Sequence, residues 1–269
     1  MSLKLLLVGS GKMGQAMLGG WVEGEVSPSD IAVIDPNSGN LAVAAGLGCR
    51  GYAEPSQIPA DFAPDVMVLA VKPQMMGEVL PAYRAFAEKG APVISIAAGT
   101  RIESFEAAFG DSAAIIRVMP NTPAAIRKGM LVCCANSKAT DAHQEICTRL
   151  MSAIGDVSWI EDEALMDAVT GLSGSGPAYV FYMIETMTAA GIAAGLPEDL
   201  AVKLATGTVA GAGALARMSG ESAAVLRQNV TSPNGTTAAG LEVLMSEDGL
   251  APLMKKTVAA ATDRSKELG

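Results

Sequence analysis

Residues 9–14 read Gly-Ser-Gly-Lys-Met-Gly and follow directly on residues 4–8, Lys-Leu-Leu-Leu-Val. The apolar run predicts a buried strand, and the helical spacing of apolar residues from position 13 to about 23 predicts a helix after the glycines. A G-x-G-x-x-G pattern between a strand and a helix is typical of a turn that binds a dinucleotide, whose pyrophosphate faces the helix N-terminus. This stretch therefore predicts an α/β Rossmann domain.

The three glycines and the following strand have separate predicted roles. Gly9 allows the tight turn, Gly11 lets the backbone approach the pyrophosphate, and Gly14 permits close packing of the helix on the strand. Residues 31–35 predict a second strand, which ends in Asp35, about 20 residues after the last glycine, where a carboxylate can accept hydrogen bonds from the adenine ribose. The alternative is that the glycines serve only a tight turn without a ligand.

Strand and helix signals alternate through the first 160 residues and then change. Further strand-like runs fall at residues 66–71, 93–96, 115–118, 130–134 and 157–160, and helical stretches fall between them at residues 76–89, 102–109 and 139–153. This alternation predicts a parallel sheet covered by helices. Beyond residue 160, Ala, Leu, Met and Gly recur at helical spacing. We therefore expect a Rossmann domain over residues 1–160 and an all-helical domain of about five helices over residues 161–269.

The composition argues against several classes of partner. The chain is 50% hydrophobic and 17% charged, with a net charge of −9 and no run of Lys or Arg, so a nucleic-acid partner is not expected. The apolar residues 176–195 include Glu185, which favours a core helix over a membrane span. The four cysteines lack metal-ligand or redox spacing, and His143 is the only histidine. We expect no metal site, and reduced thiols in a cytoplasmic protein.

Two further loops follow predicted strands at the edge where such a sheet presents its ligand. The first loop reads Ala70-Val71-Lys72-Pro73, and the second begins Ala97-Ala98-Gly99. Small residues at these positions let a flat nicotinamide ring and its ribose lie against the backbone. Lys72 is a candidate catalytic residue, but we favour the interpretation that its stem packs near the cofactor while its amine stays in water.

Residues 229–237 read Asn-Val-Thr-Ser-Pro-Asn-Gly-Thr-Thr and contain four hydroxyl groups but no charged side chain. Pro233, Asn234 and Gly235 predict a turn between two helical stretches. Such a turn can direct backbone N–H groups and hydroxyls at a small anion. The alternative is a polar connector between two helices.

Over nearly its whole length the chain resembles the Δ1-pyrroline-5-carboxylate reductases. The similar segments are residues 9–14, 70–73, 117–123 (Arg-Val-Met-Pro-Asn-Thr-Pro), 168–179 (Ala-Val-Thr-Gly-Leu-Ser-Gly-Ser-Gly-Pro-Ala-Tyr), 230–237 and 264–268 (Arg-Ser-Lys-Glu-Leu). Many dehydrogenases share the glycine pattern, whereas the segments at 119–123, 172–179 and 231–237 are specific. One departure is Asn234, where the family usually has Gly; because Asn tolerates left-handed backbone angles, we expect the turn to be retained.

The resemblance implies both an activity and an assembly. It implies an oxidoreductase that transfers a hydride from NAD(P)H to C5 of the cyclic imine Δ1-pyrroline-5-carboxylate, which gives L-proline in the last step of its biosynthesis. It also implies that the helical domain builds a homodimer, or a higher oligomer of dimers, whose active sites are shared between subunits. A protonated imine accepts a hydride without a strong base, which fits the lack of a His or Lys constellation.

The residues after the second strand and the family pattern disagree about cofactor preference. A carboxylate at Asp35 would repel a 2′-phosphate, and no Arg follows until Arg50, so the simple rule predicts NADH. The family commonly uses NADPH through small polar residues at this place, and Asn37 and Ser38 are available. We therefore expect both cofactors to be used, with NADPH ahead.

The predicted site residues combine the motifs with the resemblance. In the family the turn near position 235 holds the substrate carboxylate, and Thr237 is our candidate catalytic residue, a positioning hydroxyl at the ring nitrogen. The resemblance places Asn229 at the cofactor of the other subunit and Glu163 near the product. The predicted substrate residues are Ser232, Gly235, Thr236, Thr237 and Glu163. The predicted cofactor residues are Gly9, Ser10, Gly11, Lys12, Met13, Gly14, Asp35, Asn37, Ala70, Val71, Lys72, Pro73, Ala97, Ala98, Gly99 and Asn229.

Two other functions remain open from the sequence. β-Hydroxyacid dehydrogenases share the glycine pattern and a helical C-terminal domain, but they place a catalytic lysine where this chain has Val180. Oxidation of an alcohol needs a base, and Val cannot supply one. The second alternative is a non-catalytic NAD(P)-binding redox sensor, which would have no need of a carboxylate-binding turn.

Overall fold

The computed structural model describes residues 3–24 and 26–269, and its first part is built on one eight-stranded sheet. The strands are β1 (Leu5–Val8), β2 (Ile31–Ile34), β3 (Arg50–Tyr52), β4 (Val66–Leu69), β5 (Val93–Ser95), β6 (Ile115–Met119), β7 (Gly129–Ala135) and β8 (Gly155–Trp159). Their order is β3-β2-β1-β4-β5-β6-β7-β8, and all neighbours are parallel except β6 and β7. The expected parallel sheet is confirmed, with one antiparallel pair added.

The described residues also form twelve α-helices; those of the first part mostly follow strands, and α8 to α12 follow one another. They are α1 (Lys12–Glu23), α2 (Ser38–Gly46), α3 (Met76–Val79), α4 (Arg84–Glu88), α5 (Ile102–Phe109), α6 (Asp141–Ser152), α7 (Met166–Val169), α8 (Gly176–Ala193), α9 (Glu198–Met218), α10 (Ala223–Asn229), α11 (Thr236–Leu244) and α12 (Leu250–Leu268). The continuous helix predicted at residues 76–89 is wrong, because a 3-10 turn, Leu80–Tyr83, separates α3 from α4. Pro81 has no N–H to donate within this turn.

The strand order reverses at β1, which pairs with β2 on one side and β4 on the other. In open α/β sheets, ligands bind outside the carboxyl ends of the strands at such a reversal. The glycine turn leaves β1 here, and the loop at residues 70–73 leaves β4 beside it. The Ala70 N–H donates to the Val8 carbonyl over 2.7 Å. The topology therefore brings two of the predicted cofactor loops together.

Side chains alternate between the two faces of the sheet, and helices cover both faces. Leu5 and Leu7 of β1 belong to one buried layer together with Trp21 of α1. Leu6, between them, belongs to the opposite layer together with Phe105 of α5. Because strand residues are buried on both sides, these strands appear in the sequence as continuous apolar runs rather than as alternating patterns.

The chain divides into two compact units. Unit 1 is Met1–Gly174 together with Ala261–Gly269, and unit 2 is Ser175–Ala260. The last strand ends near the predicted boundary at residue 160, but unit 1 continues further because Met166 of α7 is buried against the sheet. The end of α12 also belongs to unit 1, where the Ser265 hydroxyl donates to the Asp167 carboxylate over 2.7 Å. Unit 1 is therefore built from two separate stretches of chain.

Unit 2 is all-helical and has very few buried apolar side chains. Among its described residues, Ala201 and Ala205 of α9 are the apolar ones that are buried. Large apolar side chains are exposed instead, including Phe181 at 56% and Met218 at 83%. Unit 2 of a single chain thus lacks an apolar core of its own. In the part of the chain that the structure describes, no helix combines the length and the apolar character needed to cross a membrane.

Candidate cofactor cleft and substrate turn

A cleft of about 580 Å³ opens at the carboxyl ends of β1, β2 and β4 in unit 1. Its volume lies within the range of small-molecule sites, roughly 300–1,000 Å³. Seven of the predicted cofactor residues line it: Gly9, Gly11, Asp35, Asn37, Ala70, Val71 and Lys72. The structure therefore brings together residues from three loops that are far apart in the sequence.

Each glycine of the turn is needed for a different physical reason. Gly9 has a φ of +88°, and a Cβ atom there would lie 2.8 Å from the Ala70 carbonyl oxygen. A Cβ on Gly14 would lie 2.5 Å from the Gly9 carbonyl oxygen, so the start of α1 packs closely on the turn. A Cβ on Gly11 would meet no described atom within 4 Å, and Gly11 lines the cleft. The turn is thus tightly packed at Gly9 and Gly14, whereas its backbone is accessible at Gly11, where a ligand can approach.

The buried Asp35 carboxylate stabilises the glycine turn through hydrogen bonds. It is only 6% exposed and accepts hydrogen bonds from Ser10 N (2.7 Å), Asn37 N (2.8 Å) and Asn40 Nδ2 (3.0 Å). Gln15 Nε2 in turn donates to Asn40 Oδ1 over 3.2 Å. A carboxylate offers about four acceptor positions, so about one is left for a ribose hydroxyl. Asp35 therefore acts mainly as an organiser of the turn.

The turn fits a dinucleotide by two observations beyond its sequence. The Ser10 hydroxyl is fully buried and has no hydrogen-bond partner among the described residues. The residue before α1 is Gly11, which offers no side-chain cap, so the first N–H groups of this helix are open to a phosphate. A diphosphate at Gly11 would supply the anion that this helix end lacks.

Several residues of the cleft were not predicted from the sequence. Asn40 was not predicted, because it lies among small polar residues at the start of α2. Asn37 is the N-cap of this helix, and its side chain accepts hydrogen bonds from Gly39 N and Asn40 N. Pro55 lines the cleft after β3, a strand that was missed because it has only three residues at the edge of the sheet. Tyr83 lines it from the turn between α3 and α4, and burial raises the pKa of its phenol.

Other predicted cofactor residues lie near the same edge but outside the lining of this cleft. Ala97, Ala98 and Gly99 lie in the loop that leaves β5, the strand next to β4. The remaining members are Ser10, Lys12, Met13 and Gly14 of the turn and α1, and Pro73, which begins a 3-10 turn after β4. Their contacts with a cofactor stay predictions.

The predicted substrate turn lies in unit 2, between α10 and α11. Asn234 has a φ of 57°, the left-handed value expected of the residue that stands where the family has Gly. A Cβ on Gly235 would collide with the Ser232 hydroxyl and come within 3.2 Å of its carbonyl oxygen. Helix α11 then begins with Thr236 and Thr237 and has no side-chain cap among the described residues. Its first N–H groups are therefore open to a small anion.

Asn229 and Glu163, the two residues placed only by resemblance, each have partners within their own unit. Asn229 ends α10, and its amide donates to the Glu221 carboxylate over 3.3 Å. Glu163 forms an ion pair with Arg117 of β6 and accepts a hydrogen bond from Ile102 N over 2.8 Å. Glu221 was not singled out in the sequence, where it follows a Ser-Gly turn without a motif. The predicted contacts of Asn229 with cofactor and of Glu163 with product stay predictions.

The thiols do not form an alternative reactive centre. All four cysteines are buried and unpaired, and burial raises the pKa of Cys49 and Cys134. The Sγ atoms of Cys133 and Cys147 lie 4.0 Å apart, and this contact together with burial holds the pKa of Cys147 well above its usual value. Protonated, buried thiols are poor nucleophiles. Within the described ranges, no group of three or more His, Cys, Asp or Glu residues is placed to hold a metal ion.

The cleft on a Rossmann sheet and the helical unit with its open turn define the class of protein: an NAD(P)-dependent oxidoreductase with a separate helical unit. The family model described as "Pyrroline-5-carboxylate reductase dimerisation" matches residues 163–268. The model described as "NADP oxidoreductase coenzyme F420-dependent" matches residues 4–99. A pyrroline-5-carboxylate reductase of Pseudomonas aeruginosa is 38% identical over 98% of this chain and 96% of its own length. The chain belongs to the pyrroline-5-carboxylate reductase family.

Solved structures agree with this assignment over the whole chain. A pyrroline-5-carboxylate reductase from Coxiella burnetii has a TM-score of 0.94 and 32% identity, and the match covers 100% of this chain and 99% of that one. A pyrroline carboxylate reductase from Plasmodium falciparum with NADP bound has a TM-score of 0.84 and 28% identity, covering 99% and 98%. The Rossmann fold followed by a helical dimerisation region, expected from the sequence, is confirmed.

Proposed function

We propose that this chain reduces Δ1-pyrroline-5-carboxylate to L-proline, the last step of proline biosynthesis. NAD(P)H supplies the hydride when bound. The observation that carries the proposal is the 38% identity to a reductase of this name over 98% of the chain. The cleft of unit 1 and the open turn of unit 2 support it independently, because the reaction needs a dinucleotide site and a carboxylate site.

The chain's residues have to position the substrate rather than remove a proton from it. A protonated imine is already electrophilic at C5, and its reduction gives a neutral amine, so no alkoxide has to be stabilised. In our proposal, the open N–H groups at the start of α11 bind the substrate carboxylate. The Thr237 hydroxyl, in the first turn of that helix, contacts the ring nitrogen. Fixed donors and a fixed orientation of this kind account for much of the rate in such sites.

The two alternative functions are not favoured. A β-hydroxyacid dehydrogenase needs a base at the position of Val180, which lies on α8 with an apolar side chain that is 43% exposed. A redox sensor has no use for a helix N-terminus that is kept open by Gly235 and the left-handed Asn234. The full-length identity to reductases supports the enzyme instead.

We propose that NADPH is used ahead of NADH. The Asp35 carboxylate is buried and satisfied by three donors, so a large part of its capacity to hold a ribose 2′-hydroxyl is already used. Asn37 lines the cleft, and Ser38 follows it at the start of α2. Both residues offer uncharged polar groups where a 2′-phosphate would arrive.

A steady-state assay tests the activity and the cofactor order together. We expect oxidation of NADPH that depends on added pyrroline-5-carboxylate, with a higher kcat/KM for NADPH than for NADH. The decrease in absorbance of the reduced nicotinamide measures it, and omission of the imine is the control. No imine-dependent oxidation with either cofactor rejects the activity, and a preference for NADH above about tenfold in kcat/KM rejects only the order.

We propose that the enzyme is a homodimer whose interface is formed by unit 2. The exposed side chains of Phe181 and Met218 belong to long helices in a unit with two buried apolar residues, Ala201 and Ala205. Apolar surface of this extent marks an interface, and a stable one covers about 800 Å² on each partner. The family resemblance adds that the glycine turn of one subunit and residues 229–237 of the other complete each active site. Dimers can associate further into higher oligomers.

A mixing experiment tests the shared active site. We expect a Gly11→Asp chain, unable to bind cofactor, and a Thr237→Val chain, impaired at the substrate, to regain activity when they form mixed dimers. One of the two sites in such a dimer has both halves intact. Co-expression with two different tags, followed by purification on both, isolates the mixed dimer. If its activity stays at the level of the two mutants alone, each site belongs to a single chain.

We also propose a cytoplasmic location and no nucleic-acid partner. The four cysteines are unpaired, which suits a reducing compartment. The net charge of −9 opposes binding to a phosphate backbone.

A further inference from the structure

The loop that joins β5 to α5, residues 96–101, is fixed to its surroundings along its length. At its beginning, the Ile96 N–H donates to the Leu69 carbonyl of β4 over 3.0 Å. In its middle, Gly99 has a φ of +77° and lies against the backbone of Leu268, so that a Cβ on Gly99 would be 3.3 Å from the Leu268 carbonyl oxygen. This loop carries the small residues that the sequence predicts beneath the nicotinamide ring.

A single carboxylate oxygen fixes the end of this loop. Glu163 Oε1 accepts a hydrogen bond from Ile102 N, the first residue of α5, over 2.8 Å. The same oxygen accepts a hydrogen bond from the Arg117 guanidinium. The N-cap position of α5 is Arg101, which makes no capping bond with its own side chain. Glu163 therefore caps α5 from a distant part of the chain, and its charge also suits the positive end of the helix.

Arg117 makes the position of this carboxylate hard to change. Arg117 lies in the middle of β6, is 9% exposed, and is paired across the strands with Cys134, which belongs to the buried layer under α5. A guanidinium in such a layer has to keep a charged partner, because an unpaired buried charge is strongly unfavourable. Arg117 thus holds Glu163 in place, and Glu163 holds the end of the loop.

We infer that Glu163 is a positioning residue for the nicotinamide half of the cofactor. It acts through the loop at residues 96–101 rather than by contact with the product. The inference rests on the proposed function, because it assumes that this enzyme binds NADPH with the nicotinamide at that loop. The adenylate half, at the glycine turn and Asn37, should be independent of Glu163. Removal of the Glu163 carboxylate should therefore weaken binding of the whole dinucleotide. It should leave unchanged the binding of a ligand that consists only of the adenylate half of the dinucleotide.

Binding titrations on the full-length dimer test this separation. We expect Glu163→Ala to raise the dissociation constant for NADPH about tenfold, the lower end of the loss of a charged hydrogen bond, and to leave that for adenosine 2′,5′-bisphosphate within about twofold. Glu103→Ala is the matched control, since Glu103 is an exposed carboxylate in the first turn of the same helix. It should change neither constant. Equal weakening of both ligands by Glu163→Ala, or weakening of neither, overturns the inference.

A double variant separates positioning from a general loss of stability. Glu163→Ala combined with Arg117→Met removes the unpaired buried charge but leaves the loop without its anchor. We expect its melting temperature to recover toward that of the wild type while NADPH binding stays about tenfold weak. Recovery of NADPH affinity along with the melting temperature overturns the inference. If the wild type binds neither ligand, it is the proposed function that fails.

Discussion

Gly11→Asp is expected to fold normally and to lose NADPH binding by about a thousandfold. A Cβ at this position meets no described atom within 4 Å, so the chain itself accommodates the side chain. The new carboxylate would stand where the backbone opens to the pyrophosphate. Two like charges about 4 Å apart cost about 4 kcal/mol at the dielectric of a protein surface, and each 1.4 kcal/mol is tenfold in affinity. The dissociation constant, from a fluorescence titration, and the thermal melting curve check the two halves of the prediction.

Gly19→Asp is the control for this variant. Gly19 lies on the same helix, α1, and a Cβ there also meets nothing described within 4 Å. The substitution adds the same charge away from the turn, so NADPH binding should stay near the wild-type value. If Gly11→Asp binds NADPH within about fivefold of the wild type, less than 1.4 kcal/mol, no phosphate lies at Gly11.

Thr237→Val is expected to lower kcat/KM for the imine by roughly 10- to 150-fold and to leave the NADPH dissociation constant unchanged. The substitution keeps the shape of the side chain and removes the hydroxyl that we place at the ring nitrogen. Loss of one hydrogen bond to a charged ligand costs about 1.5–3 kcal/mol. We expect the loss to appear in both a higher KM and a lower kcat, which steady-state kinetics at saturating NADPH separates.

Thr257→Val is a suitable comparison for the Thr237 variant. Its hydroxyl donates to the Leu253 carbonyl within α12, so the same change of side chain removes only a bond internal to a helix. An unchanged kcat/KM for Thr237→Val would mean that the Thr237 hydroxyl does not touch the substrate, and that the helix N-terminus binds it without this group.

The sequence predicts those parts of the fold whose pattern is local. The strand at β1, the glycine turn and α1 were predicted within about one residue, because burial on both faces of a sheet produces long apolar runs. Helix α5 coincides with its predicted range, 102–109. By contrast, β3 was missed, since Arg50, Gly51 and Tyr52 at the sheet edge are not buried and carry no apolar pattern. This segment is a strand only because it pairs with β2 in the folded sheet.

The candidate site was predicted where backbone conformation restricts the residue type and missed where side chains meet across the fold. The left-handed backbone angle at Asn234 could be expected, because Asn stands where the family usually has Gly. The hydrogen bond from Asn40 to Asp35 could not, because it depends on how α2 packs beside the glycine turn. The same holds for Arg117 and Glu163, which are 46 residues apart and have no shared motif.

The return of the chain to unit 1 has a consequence for how the protein is made. When Gly174 has just been synthesised, all eight strands of the sheet exist, but the segment Ala261–Gly269, which belongs to the same unit, does not. The Ser265–Asp167 bond and the contact of Leu268 with Gly99 form only after every helix of unit 2 has been synthesised. The nascent Rossmann part is therefore incomplete until residues 261–269 have been synthesised. A gene truncated at residue 174 should accordingly yield a Rossmann fragment less stable than unit 1 of the full chain.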